Sequence, residues 1–412
     1  MNHIISNPDL RLATAYIIFF SSYLVFAIGR FPGTRINRTA MAIIGAALMF
    51  AFRFITPEQG IRSIDYSTLV LLFSMMLIVA SLHLAGFFEW ITTLVIDHVA
   101  ARHLLPGVIF TSGILSAFLI NDVVCLFMAP LILQVSKRLS KPAVPYLLAL
   151  ATASNIGSAA TITGNPQNIL IGSLSGIRYR DFLRSLAPVS FLGLLIAWAV
   201  LHWLYPDHGE TPTTVQVLPK PARSGLLFPV VVTLCVLAGF LIGLPPAFVA
   251  AVGGAVLLIR RTQPPENIYS RVDWSLLILF IGLFLIVGAA EASGIAGEML
   301  TFADRFNVQN IWILSGVIVA LSNLVSNVPA VMLLKGLAPQ FHDPRQFWLL
   351  LALVSTFAGN LTITGSVANI IVVERARSEA HVHISFREYM RVGIPITVAT
   401  VLIGIMWIRY IG

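Results

Sequence analysis

The chain has 412 residues, 57% of them hydrophobic and only 11% charged, with a mean hydropathy of +0.88 and a formal net charge of +8 at pH 7. A water-soluble domain carries about a quarter charged residues, so a soluble globular fold is excluded. The basic excess lies in short loops between apolar runs, where it sets orientation in a lipid bilayer rather than binding nucleic acid.

In chain order, Ala13–Gly29 is the first apolar run of spanning length. A crossing helix needs about 20 such residues unless it is tilted or partly buried in protein. The run ends in Gly-Arg-Phe-Pro rather than a small-residue cleavage site, and Met1 to Asp9 carries no basic cluster, so it reads as a retained helix. Leu69–Ala85 is the next clear span, and Asp65 before it suits a helix cap more than a ligand. The role of Glu89, near an apolar end, stays open.

Pro106–Leu133 is bipartite, with Asn121 and Asp122 midway. This pattern predicts a re-entrant hairpin over 106–133, because non-helical backbone at membrane depth must be buried in protein or line a cavity. Asp122 is the only carboxylate within its apolar stretch. A charge at that depth is costly and marks an ion path, so Asp122 is assigned a proton- or cation-coupling role. Cys125, near the tip, reads as a packed core cysteine, and with Cys235 also in an apolar segment no disulfide is expected.

A broken helix is expected over 143–174, around Thr161-Ile-Thr-Gly-Asn-Pro-Gln-Asn168. Gly164 relieves the backbone, Asn165 is a good N-cap and Pro166 suits the first helical position. One helix therefore ends and a half-helix begins within the bilayer. Carbonyls freed before the break can hold a cation, and amides after it can face an anion. Phe191–Leu204 closes a first half, residues 1–205, and the Pro- and Thr-rich stretch 206–223 reads as a linker.

The second half, residues 224–412, repeats the first. Leu226–Leu244 is a span, and Gly253, Asp273 and Gly294 lie 208 positions after Gly45, Asp65 and Gly86. Asp273 again suits a cap, and Glu291 stays open like Glu89. A second hairpin over 311–334 places Asn327 at an offset of 206 from Asn121. The octapeptide returns at an offset of 201 as Thr362-Ile-Thr-Gly-Ser-Val-Ala-Asn369, within a broken helix over 346–375. His381-Val-His383 reads as a solvated loop rather than a metal site, and Ile394–Ile408 is the last span. Each half then crosses five times, and an odd number turns the halves upside down relative to each other.

Lys and Arg agree with that topology. With both termini outside, 16 of the 26 fall on the inner side, including Arg38 and Arg271, and 10 on the outer, including Arg53 and Arg62.

The candidate solute- or ion-binding residues are therefore Asn121, Asp122, Asn155, Thr161, Thr163, Gly164, Asn165 and Asn168 in the first half. In the second they are Ser326, Asn327, Asn360, Thr362, Thr364, Gly365, Ser366 and Asn369. Asn155 stands opposite Thr356 and Asn360 opposite Ala159, so the halves bring different side chains to a pseudo-symmetric site. Interhelical hydrogen bonding is the rival use of the two asparagines.

Phe118-Leu-Ile-Asn-Asp122, Asn155 to Ile169, Val272-Asp-Trp-Ser275 and Leu321 to Pro329 together resemble the ion transporter superfamily. That superfamily holds arsenite/antimonite permeases, citrate-type carriers, divalent-anion:sodium symporters and some sodium/proton antiporters. Gly164-Asn-Pro-Gln-Asn168 is most similar to bacterial anion-permease-like proteins with a citrate-transporter-like domain. The resemblance implies an all-α polytopic membrane protein of two inverted repeats, each of about five transmembrane helices plus a re-entrant hairpin and a broken helix. It also implies a substrate site between hairpin tips and broken helices, and often a homodimer. Sodium-coupled dicarboxylate members carry Ser-Asn-Thr at both tips. Here the tips are Ile120-Asn121-Asp122 and Ser326-Asn327-Val328, and the Asn-Asp tip is more similar to arsenite permeases.

The sequence thus points to a secondary transporter in the bacterial inner membrane, moving a small anion or oxyanion of arsenite or carboxylate type. Coupling to H⁺ or Na⁺, the latter at the hairpin tips, is inferred because no nucleotide-binding motif is present. A Na⁺/H⁺ antiporter of the same fold is the alternative and an ion channel a weaker one. No His-Glu-x-x-His or nucleophile–base pairing suggests an enzyme, and no cofactor is expected.

Overall fold

A computed structural model describes residues 8–30, 33–98, 103–206, 225–259 and 264–411, so the linker expected at 206–223 lies almost wholly outside the described residues. Among them the chain is helical, with one isolated bridge, Arg30 to Asn37, as its only extended pairing.

The first half runs α1 (Pro8–Ile28), α2 (Arg38–Ala51), α3 (Pro57–Ser63), α4 (Tyr66–Leu84) and α5 (Phe87–His98). It continues with α6 (Leu104–Phe118), α7 (Asn121–Arg138), α8 (Ala143–Ser158), α9 (Pro166–Ser175) and α10 (Tyr179–Leu204). The second half follows the same order: α11 (Leu227–Ile242), α12 (Pro246–Ile259), α13 (Pro265–Tyr269), α14 (Trp274–Ala292), α15 (Ile295–Asp304) and α16 (Ile311–Val325). Then come α17 (Asn327–Leu334), α18 (Pro344–Ala358), α19 (Val367–Ala380) and α20 (Phe386–Ile411). Single 3₁₀ turns at Ile162–Gly164 and Ile363–Gly365 mark the two breaks.

Five of these helices are long and apolar enough to cross a membrane, and shorter apolar ones accompany them. This is a multi-pass membrane protein. The final spans are longer than their apolar centres, beginning at Tyr179 and Phe386 with Asp181 and Glu388 in the first turns. Acidic residues there suit the positive end of a helix. The hairpins extend to Leu104–Arg138 and Ile311–Gln340, and α3, α5, α13 and α15 are short helices that apolar runs alone do not predict.

Two bundles result. One pairs α2 with α14 and α12 with α4, so each half lends its second and third spans to the other. In the α2–α14 pair, Thr39 Oγ1 donates to the Ser275 carbonyl, and a Cβ on Gly282 would meet Ala42 at 2.7 Å. A Cβ on Gly45 would meet Ile286 at 2.7 Å, and one on Gly288 would meet Ser63 at 2.2 Å. Numbers rise together, so α2 and α14 run parallel. Ser63 lies level with the end of α14, and α4 starts three residues later. Hence α4 runs opposite to α14, its counterpart. The other bundle holds the hairpins, the broken helices and the paired final spans α10 and α20.

Candidate functional site

Both helix breaks are built alike. Asn168 Nδ2 donates to the carbonyls of Ser158 (3.2 Å) and Thr161 (3.0 Å). Asn369 Nδ2 donates to those of Gly359 (2.7 Å) and Thr362 (3.0 Å), the equivalent pair. The last asparagine of each octapeptide therefore satisfies carbonyls that the break releases, a necessity at this depth. Each of these carbonyls thus spends one of its two lone pairs on an asparagine amide. Gly164 is required by close approach, since a Cβ there would lie 2.1 Å from the Ser158 carbonyl oxygen. At Gly365 the nearest atom would be the Asn323 side-chain oxygen, at 2.6 Å.

The half-helix starts differ. Asn165 Oδ1 accepts from the Asn168 N–H at 2.8 Å, so α9 caps itself with the expected residue. Ser366 does not cap α19; its hydroxyl donates to Asn155 Oδ1 at 2.9 Å. Asp122, from the opposite half, sits at the start of α7, which packs against α19, whose first turn carries the Ala368 N–H. A carboxylate near a helix N-terminus is favourable, so the one charge within the hairpin tips is set against the broken helix of the other half.

Asn155 is the hub between halves. Its Nδ2 donates to Asn360 Oδ1 and Asn369 Oδ1, both at 2.9 Å, and its Oδ1 accepts from Asn121 Nδ2 at 3.0 Å and from Ser366. The related contact runs the other way: Asn165 Nδ2 donates to Thr356 Oγ1 at 3.2 Å, and Gln167 Nε2 to the same oxygen at 3.3 Å.

Beside this network is a cavity of about 170 Å³. Of the candidates, Asn121, Asp122, Ser326, Asn327 and Ser366 line it, so both hairpin tips and the start of α19 converge there. Pro166 and Gln167 add the start of α9, and Arg38, Thr39, Asp273 and Ser275 form its wall on the other bundle. Asn121 and Asn327 are buried, and the Oδ1 atom of each has no hydrogen-bond partner. Ser326 holds φ +76°, ψ 159°, a strained conformation for a residue with a side chain, at the second tip.

The remaining candidates do not line the cavity. Asn155, Asn165, Asn168, Asn360 and Asn369 are buried in the network and the breaks, with Gly164 and Gly365. Thr161 Oγ1 donates to the Ala117 carbonyl, and Thr163 shares a 2.8 Å hydrogen bond with the Tyr179 hydroxyl. Thr362 donates to Asn323 Oδ1 at 3.1 Å, and Thr364 is exposed. Arg38, Gln167 and Asp273 enter the site without having been singled out as ligands. Asp273 does cap α14, accepting from the Leu276 N–H at 3.0 Å, as Asp65 caps α4 through the Thr68 N–H at 2.7 Å. A wider groove of about 590 Å³ between His103, Lys141, Trp198 and His202 contains none of the repeated polar residues.

Against known proteins, the sequence profile of the citrate transporter family matches residues 23–357, most of the chain. The chain belongs to the citrate transporter family. It is a membrane transporter and not an enzyme. A 46 kDa membrane protein of Mycobacterium leprae is 31% identical over 96% of this chain and 98% of its own length. The silicon efflux transporter LSI3 of rice (Oryza sativa subsp. japonica) is 30% identical over 91% of this chain and 93% of its own. In fold, the chain is similar to the crystallised YdaH transporter of Alcanivorax borkumensis, with a TM-score of 0.59 over 98% of both chains at 13% identity. This citrate transporter family member thus meets its polar residues between two bundles, at interrupted helices typical of carriers.

Proposed function

We propose that the chain is a secondary active transporter that carries a small oxyanion, or the weak acid from which it derives, across the bacterial inner membrane by alternating access. The supporting observation is the cavity itself: both hairpin tips and both half-helix starts bring polar side chains to one space at the boundary of two bundles. The opposite run of α4 and α14 supports halves inverted across the bilayer, with both termini outside and the hairpins re-entrant. The solute and ion then sit near the midplane, and one bundle moves against the other around them. A homodimer is the assembly expected from the family resemblance.

The lining favours a solute that still carries protons. Asn121 Oδ1, Asn327 Oδ1 and the carboxylates of Asp122 and Asp273 are acceptors, while Arg38 is the one basic side chain. A fully ionised polycarboxylate brings only acceptors and would leave these groups unmatched. A hydroxylated weak acid donates to them, and the silicon efflux transporter of rice is named for an element that dissolves as such an acid. The same acceptors also fit a cation, which keeps a sodium/proton antiporter of this fold as the second reading.

Asp122 carries the coupling. Asp122→Asn keeps a side-chain oxygen that can accept a hydrogen bond, so the fold should persist while the titratable charge is lost. In reconstituted vesicles, silicic acid uptake should saturate and respond to an imposed proton or sodium gradient, with citrate the poorer solute. The variant should retain the wild-type melting temperature and lose the gradient response. Gradient-driven uptake of wild-type size in Asp122→Asn would reject the role. Sodium–proton exchange independent of any solute would favour the antiporter, and unsaturable conductance a channel.

A further inference from the structure

Arg38 stands at the first position of α2 and lines the cavity, yet its Nε is buried without a hydrogen-bond partner. It joins none of the ion pairs found among the described residues. A guanidinium in such a setting retains unused donors in a planar fork suited to an oxyanion. Thr39, next to it, is tied to Ser275 on α14, so the basic residue is held on the bundle that faces the hairpin tips.

The two mouths of the site are not alike. At the Arg38 end the cavity is open between α2, α14 and the hairpin tips, and Asp273 and Ser275 line it. At the equivalent end of the other half, Pro246 and Ala247 replace Arg38 and Thr39 at the offset of 208. There the Ser173 hydroxyl of α9 lies 2.9 Å from both carboxylate oxygens of Asp65, which closes α9 onto α4. The counterpart of Ser173 is Glu374, which cannot donate a hydrogen bond to Asp273 when both are ionised.

We propose that Arg38 is the residue that reads the negative charge of the solute, and that it does so from one face of the membrane only. The inference rests on the carrier reading above and adds a specificity residue and a sidedness to it. At the Arg38 mouth an anion meets a fixed positive charge before it reaches Asn121, Asp122 and Asn327. From the opposite face the equivalent position is the uncharged Pro246. Lining charges of two carboxylates and one guanidinium sum to one negative, so anion entry is accompanied by a proton or cation.

A thiol placed in the cavity tests this without knowledge of the natural solute. Val367 lines the cavity and is partly exposed. In a Cys235→Ala background, Val367→Cys is labelled with a sulfonate-bearing and a quaternary-ammonium-bearing methanethiosulfonate, each applied from one face. The ratio of anionic to cationic labelling rates should fall about tenfold in Arg38→Gln and stay near the Arg38 value in Arg38→Lys. Arg38→Met, which keeps the length of the stem, replaces the Gln variant should that one not fold. Labelling should proceed from the face that carries Arg38 and Asp273. An unchanged ratio in the neutral variants, or equal labelling from both faces, overturns the proposal. Citrate and silicic acid uptake by the same variants separates the two claims. Gradient-driven uptake with an unchanged ratio removes Arg38 and leaves the carrier, whereas absent uptake with a shifted ratio removes the carrier and leaves the anion site.

Discussion

Asn155 has two amide hydrogens and one carbonyl, and the fold uses all of them: two bonds given and two received, joining four residues of both halves. Asn155→Ala leaves buried polar groups on Asn360 and Asn369 without their donor. At about 1–3 kcal/mol for each stranded group, the loss should exceed that of any single cavity-facing variant such as Asn327→Ala. Thermal melting in detergent measures the difference, and a smaller loss than Asn327→Ala would contradict the hub. The breaks give a second contrast. A methyl at Gly164 meets backbone, which cannot yield, and at Gly365 first meets the Asn323 side chain. Gly164→Ala should therefore cost about 3 kcal/mol or more, and Gly365→Ala less, judged by the same melts. Sequence spacing made these octapeptides visible, but not that Asn168 and Asn369 close the breaks. That division depends on which neighbouring carbonyl each amide reaches. Arg38 was legible only as a loop charge, because nothing in a linear reading says that the start of α2 faces the hairpin tips.

At the level of helices, the site is set by where runs stop. The chain breaks at Leu119-Ile120, just before the polar pair Asn121-Asp122 that opens α7, and again before α9, which Asn165 caps and Pro166 begins. Helix ends beyond apolar centres were harder to read, since α10 and α20 begin among charged residues that a hydropathy window rejects. In the proposed alternating-access cycle, contacts between helices set the access state. Ser173 and Asp65 hold α9 to α4, and a hydrogen bond to a carboxylate contributes about 1.5–3 kcal/mol. Ser173→Ala should shift the equilibrium toward opening at that end by roughly tenfold or more. The readout is labelling of Val367→Cys by an impermeant thiol reagent from the Asp65 face, which should accelerate. An unchanged rate would mean that this contact is not a gate.

At the scale of the whole molecule, ten α-helices among the described residues are followed by ten more in the same order, at sequence offsets that shrink from 208 to 201. The reading of two repeats rests on order and spacing, which persist where residue identity does not. The exchange of second and third spans between halves was not, since apolar surfaces carry no address for their partners. Inversion is the claim on which alternating access depends, and Ser67 and Ser275 test it most directly. They occupy equivalent positions, each two residues after a capping aspartate, and both are exposed. Single Ser67→Cys and Ser275→Cys variants, in the Cys235→Ala background, are treated with an impermeant thiol reagent in oriented vesicles. Inverted halves predict labelling from opposite faces, with Ser275→Cys on the face of Arg38. Labelling of both from the same face would contradict the account.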